Sequence, residues 1–200
     1  MVIIGLTGTT GAGKGEVGRM FADCGACVCD TDRIYHRLLA ESEALKRELT
    51  DTFGEITDDA GNIDRKKLAP IVFADKEKLA ALNRITHRYV LAETDRILAE
   101  AAAQGVTVGV IDAPMLFESG ADKKCDVVVG VTAPMETRLA RIMARDGLSE
   151  AAAKNRIANQ HTDAWFAQTC DKILVNDADV ETLREHTRNL FHEIATERSK

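Results

Sequence analysis

Hydrophobic positions along the chain follow two alternating patterns. Short runs rich in β-branched residues, at 2–7, 26–29, 106–111, 126–131 and 172–175, lack a clean polar alternation and predict strands covered on both faces. Between them the apolar positions take helical spacing. Val17, Met20, Phe21 and Cys24 recur at i, i+3, i+4, i+7, and Val180, Leu183, Leu190 and Ile194 form the stripe of a closing helix. Strands alternating with helices predict an α/β fold, a three-layer αβα arrangement around a five-stranded, mostly parallel sheet.

One interval breaks this rhythm. From Thr31 to Gly105 no strand pattern appears, and 34–53, 64–73 and 75–103 all read as helical, with turns at Phe53-Gly-Glu and Asp58-Asp-Ala-Gly-Asn. A crossover needs far fewer residues, so the excess predicts a helical insertion. A second polar helical stretch, 135–168, separates the last two strands. The expected organisation is one domain with a core of about 1–30, 105–134 and 170–200, an insertion of about 31–104 and a segment of about 135–169 that we expect to act as a lid.

Composition narrows the class. Lys and Arg number 26 against 32 Asp and Glu, a net charge of −6, which argues against broad binding to nucleic acid or an anionic membrane. The longest uncharged stretch, 1–13, is too short to span a bilayer and has no basic leader. Cys24, Cys27, Cys29, Cys125 and Cys170 are odd in number and irregular in spacing, which suits free buried thiols in a reducing compartment. Cys24, Cys27 and Cys29 have no second cluster to complete a zinc site. We therefore expect a cytoplasmic protein, a monomer or weak homo-oligomer.

The sharpest chemical signal is Gly8-Thr-Thr-Gly11-Ala-Gly13-Lys14-Gly15, a G-x-x-x-x-G-K loop placed after a strand and opening a helix. Glycines let the backbone curl so that amides point at phosphate oxygens, the helix N-terminus adds partial positive charge, and Lys14 supplies a full one. The position after the lysine departs from the pattern. Ser or Thr there ligates Mg²⁺, whereas this chain has Gly15, then Glu16. Backbone cradling survives the change, and water is the expected substitute ligand.

Carboxylates and arginines are placed to complement the loop. Asp32 follows the second predicted strand in Asp30-Thr31-Asp32, and ligands of open parallel sheets bind beyond strand C-termini. It either caps a helix or accepts a proton from an attacking hydroxyl; Asp30 or Thr31 as cap leaves Asp32 for chemistry. His36 lies one turn on, on the same face. Asp112, ending the third strand, has the Walker-B position of a magnesium-holding carboxylate. Arg138, Arg141 and Arg145 fall at i, i+3, i+7 on one helical stripe, either a solvated face or a phosphate-clamping lid that Arg156 joins.

Together these residues resemble the dephospho-CoA kinase family. The resemblance runs nearly end to end, through Gly5-Leu-Thr-Gly8 and its loop, Asp30-Thr-Asp32-x3-His36, Gly61-Asn-Ile-Asp64-Arg65 and Val72-Phe73. It continues through Leu82-Asn-x-Ile85-Thr-His87, Pro114-Met-Leu-Phe-Glu118, Arg156-Ile157 and Gln160. Two departures are Gly15 for the usual Ser and Arg88 for the usual Pro after His87. The resemblance implies a P-loop kinase with a CoA-binding helical insertion and a mobile lid, which moves the γ-phosphate of ATP to the ribose 3′-hydroxyl of dephospho-CoA with Mg²⁺ as cofactor. Carried over, Gly11, Ala12, Gly13, Lys14, Gly15 and Glu16 bind ATP, and Asp32, Lys14 and Arg141 serve catalysis. His36, His87, Leu116, Phe117 and Glu118 line the acceptor site.

Two other classes fit parts of the chain. A nucleoside monophosphate kinase suits Gly13-Lys14-Gly15 but requires an arginine-rich acceptor site, where this chain has an Asp-x-Asp suited to a hydroxyl. An inactive nucleotide-binding module suits the loop alone. A GTPase switch lacks support, because no Asn-Lys-x-Asp motif is present.

Overall fold

The structure, a computed structural model, describes residues 1–197. Strand β1 (Val2–Gly8) leads through the glycine loop into helix α1 (Lys14–Asp23) and strand β2 (Cys27–Asp30). Four helices follow, α2 (Thr31–Glu41), α3 (Glu43–Phe53), α4 (Arg65–Phe73) and α5 (Lys76–Ala103). Then come β3 (Val108–Asp112), a 3-10 turn at Ala121–Lys124, β4 (Val127–Thr132), α6 (Met135–Asp146), α7 (Glu150–Ala158), α8 (Asp163–Thr169), β5 (Lys172–Val175) and α9 (Val180–Glu197). The chain forms two compact units, one of residues 1–29 and 100 onward, the other of residues 30–99.

The first unit is built on a five-stranded parallel sheet in the order β2-β3-β1-β4-β5. β1 pairs with β3 in the register Val2↔Val108 to Leu6↔Asp112 and with β4 in the register Ile4↔Val127 to Gly8↔Val131. The strand order therefore departs in both directions from β1, and its C-terminal end is where such sheets bind ligands. Ile4, Leu6, Val108, Val110, Val129 and Val131 are buried with Val17 and Phe21 of α1 and Leu183 and Phe191 of α9. Each such side chain contributes about 1.5–3 kcal/mol by leaving water.

The second unit has its own apolar core, in which Leu39, Leu45, Leu49, Phe53, Ile56, Leu68, Val72 and Ile85 are buried together. Its helices start where side chains satisfy orphan amides. Asp30 accepts from the Arg33 amide, Ser42 from Leu45 and Asp64 from Lys66. The predicted helix over 34–53 is thus two helices. Ser42, with extended backbone (φ −85°, ψ 100°), ends α2 and caps α3. No strand lies between β2 and β3 among the described residues; the only pairing there is an isolated antiparallel bridge, Thr57↔Ile63.

The stretch 135–168 is helical as expected, in three helices: Gly147 takes a left-handed conformation (φ 65°) after α6, and the Ser149 and Thr162 hydroxyls cap α7 and α8. One further expectation needs correction, the stripe of α9. On α9, Val180 is exposed and Leu190 only half-buried; the buried stripe is Leu183, Thr187, Phe191 and Ile194. Thr187 escapes a hydrophobicity count because its hydroxyl is satisfied within the helix, donating to the Leu183 carbonyl at 2.7 Å.

Candidate active site

The glycine loop closes on itself and on the sheet. The Thr9 amide donates to the Val131 carbonyl at 3.1 Å, and the Ala12 amide to the Thr9 carbonyl at 3.1 Å. Gly8 is required here, since a Cβ would lie 2.2 Å from the Val131 carbonyl oxygen. The amides of Gly11, Gly13, Lys14 and Gly15 make no hydrogen bond among the described residues. Exposed amides at a curled loop and helix start form a nest for an anion. Lys14, at the first position of α1, pairs its ammonium with the carboxylate of Asp112, which is buried at the C-terminal end of β3. Gly18 makes room for that carboxylate, since a Cβ there would stand 3.2 Å from Asp112 Oδ2.

The outer face of the loop is held by groups from distant segments. Arg141 on α6 points its guanidinium at the loop, with Nη1 3.4 Å from the Gly11 carbonyl and 3.3 Å from that of Ala12. Asn176, buried just past β5, donates from Nδ2 to the Ala12 carbonyl at 2.7 Å, and its Oδ1 accepts from Arg141 Nη2 at 3.4 Å. Gln160, beyond α7, accepts the Thr10 amide at 2.9 Å. Gly13 has φ +97°, and a Cβ there would sit 2.4 Å from Asn176 Nδ2, so this position admits only glycine. Asn176 was not legible as a site residue. Its one signal is its place, immediately past a predicted strand at the ligand-binding edge of the sheet.

The arginines of the predicted stripe occupy three different environments. Arg138 is buried and donates from Nη1 to Asp163 of α8 at 2.7 Å. Arg141 faces the loop. Arg145 donates to its neighbour Asp146 from Nε at 2.8 Å and from Nη2 at 2.9 Å, and Arg156 of α7 pairs with the same carboxylate. The hydrogen bonds from Arg145, then its charge and that of Arg156, hold the Asp146 carboxyl below its ordinary pKa.

Around the turn after β3, Leu116 is fully buried. Phe117 packs edge-on to Trp165, with ring centroids 5.1 Å apart, and Glu118 Oε1 lies 3.3 Å from His161 Nε2. His161 in turn stacks on Trp165 at 3.7 Å. That aromatic group carried no signal in the sequence beyond its composition.

Within the second unit, Asp30 takes the cap of α2, and Asp32, in the first turn, is exposed and makes no hydrogen bond or ion pair among the described residues. His36 is exposed one turn later and receives a hydrogen bond at Nδ1 from Arg65. His87 lies half-buried on α5.

Asp112 is a hard oxygen donor within reach of Lys14 and so of the anion nest, which suits a magnesium ion held by one carboxylate, phosphate oxygens and water. Gly15 adds no ligand, and a Cβ at that position meets nothing within 4 Å.

Comparison with known proteins agrees with this geometry. The family model described as Dephospho-CoA kinase matches residues 2–182. A dephospho-CoA kinase from Corynebacterium diphtheriae is 37% identical over 198 residues, covering 98% of this chain and 99% of the relative. Among solved structures, TT1252 from Thermus thermophilus is similar with a TM-score of 0.78 and 31% identity, covering 96% of this chain and 97% of that one. Dephospho-CoA kinase from Campylobacter jejuni is similar with a TM-score of 0.71 and 26% identity, covering 98% of both chains.

Proposed function

This chain belongs to the dephospho-CoA kinase family, and on that premise we propose that it transfers the γ-phosphoryl group of ATP to the ribose 3′-hydroxyl of dephospho-CoA, giving CoA and ADP. The observation that carries the reading is the nest of unpaired amides at Gly11, Gly13, Lys14 and Gly15, beside a lysine–aspartate pair, in a chain matched over nearly its whole length. The segment Gly11–Glu16 takes the ATP phosphates, with Lys14 leaving Asp112 to neutralise charge growing on the β- and γ-oxygens.

Asp32 accepts the proton of the 3′-hydroxyl as that oxygen attacks the γ-phosphorus; the bond to the β–γ bridging oxygen breaks and ADP leaves. The free, exposed state of Asp32 supports this assignment, since its neighbour Asp30 already provides the helix cap. Arg141 reads as the arginine nearest the transferred group, with Arg138, Arg145 and Arg156 in the segment α6–α8 that we assign as the lid. His36, His87, Leu116, Phe117 and Glu118 read as acceptor contacts, and residues 30–99 as the acceptor-binding insertion.

Asp112 would hold Mg²⁺ through its carboxylate, directly or through water, and the ion, when bound, offsets phosphate charge. We place the reaction in the cytoplasm; all five cysteines are free thiols, which suits a reducing compartment. No described helix is long and apolar enough to cross a membrane.

The Asp32→Asn variant tests the role of the carboxylate. ADP release that depends on dephospho-CoA should fall by at least about tenfold, with ATP affinity by calorimetry unchanged, because positioned proton acceptors contribute that much or more. Turnover near the wild-type rate would show that Asp32 takes no part.

A further inference from the structure

The second unit holds a cationic group that the phosphate loop does not use. Arg65, at the start of α4, is exposed, and among the described residues no carboxylate pairs with it. Asp64 beside it is occupied as the α4 cap, accepting the Lys66 amide at 2.8 Å. The Arg65 guanidinium instead donates to His36 Nδ1, with its central carbon 5.9 Å from the Tyr35 ring centroid. An arginine held by an imidazole and an aromatic face keeps its charge and most of its donors for a ligand. With Nδ1 turned to Arg65, the other ring nitrogen of His36, Nε2, is left for a ligand.

We propose that Arg65 and His36 seat the 5′-diphosphate of the acceptor nucleotide. The inference rests on the function proposed above and adds what anchors the substrate. Asp32 and His36 are separated by one helical turn on the same face of α2, about 5–6 Å between Cβ atoms. A ribose carries its 3′-oxygen and 5′-phosphate at a separation of the same order. A hydroxyl at Asp32 therefore sets the diphosphate beside His36 and Arg65. Arginine suits that group because its planar fork meets two phosphate oxygens at once.

Steady-state kinetics of the full chain with ATP and dephospho-CoA provide the test, on the wild type, Arg65→Gln, Arg65→Lys and His36→Phe. Arg65→Gln should raise KM for dephospho-CoA about tenfold or more while KM for ATP stays within about twofold, as loss of a charge-assisted hydrogen bond predicts. Arg65→Lys should recover part of the loss, and His36→Phe should raise the same KM by a smaller factor. The salt dependence of kcat/KM for dephospho-CoA should flatten in Arg65→Gln, a change that a packing role does not produce. An unchanged KM for dephospho-CoA, or both KM values moving together, overturns the proposal. A wild type that turns over no dephospho-CoA overturns the function itself, and so is distinguishable. Should Arg65→Gln not fold, Arg65→Met keeps the stem over Tyr35 and takes its place.

Discussion

Among single residues, phosphate binding depends on which peptide groups of the loop are held still. Asn176 pins the Ala12 carbonyl, and a trans peptide then points the Gly13 N–H the other way. Asn176→Ala leaves that carbonyl without its buried partner, and ATP affinity measured by calorimetry should fall about tenfold, the worth of one well-placed hydrogen bond. Unchanged affinity would show that the loop holds its shape unaided. The loop glycines and Lys14 were legible because a backbone nest writes its need for glycine directly into sequence. Asn176 was not, because a lone asparagine after a strand has many uses. The thiols also belong at this scale. Cys125 fills a notch at Gly5, where a Cβ would lie 2.8 Å from its sulfur. Burial, then Asp122, Asp126 and Asp171, pushes its pKa up to about 12, and burial, then Asp171, pushes Cys170 up to about 11. Both pKa values lie above the unfolded value of 9.0, so the stability these thiols add is complete below pH 9 and lost as pH rises through 11 to 12. Native protein treated with iodoacetamide at pH 8 should therefore remain unlabelled at both, while denatured protein labels at all five cysteines.

At the scale of elements, the strands were legible to within two residues because buried parallel strands are continuous runs of Val and Ile. Helix existence was legible too, but not every helix division. Ser42 breaks 34–53 through a cap that only backbone geometry reveals. The arginine stripe shows the same limit. Spacing put Arg138, Arg141 and Arg145 on one side of α6, yet Asp163 of α8 captures Arg138, and Asp146 at the end of α6 captures Arg145. Helix α1 offers an element-level test. Gly15 has ordinary helical backbone and open space around its missing Cβ, so Gly15→Ser should fit without strain. Chemical denaturation should show a gain of about 0.5 kcal/mol from removing a helical glycine. If metal ligation is limiting, the apparent Mg²⁺ affinity during turnover should tighten as well; no change would mean that Asp112, phosphate and water already hold the ion.

At the scale of the whole molecule, the chain combines a parallel sheet whose order turns at β1 with a second unit carrying its own core. The sheet and the loop at its C-terminal edge were readable from local pattern. The second unit was readable only as an excess of helix, since nothing in its spacing names an acceptor; that name comes from family membership. The reaction that joins the two units' roles is phosphoryl transfer to the 3′-hydroxyl of dephospho-CoA. Its most direct test is a parallel assay of ATP consumption with dephospho-CoA, AMP, CMP and UMP as acceptors, with the product examined by phosphorus NMR. Dephospho-CoA alone should drive ADP release, with a new phosphomonoester signal on the ribose 3′-oxygen. Turnover of a nucleoside monophosphate with none of dephospho-CoA would contradict the account.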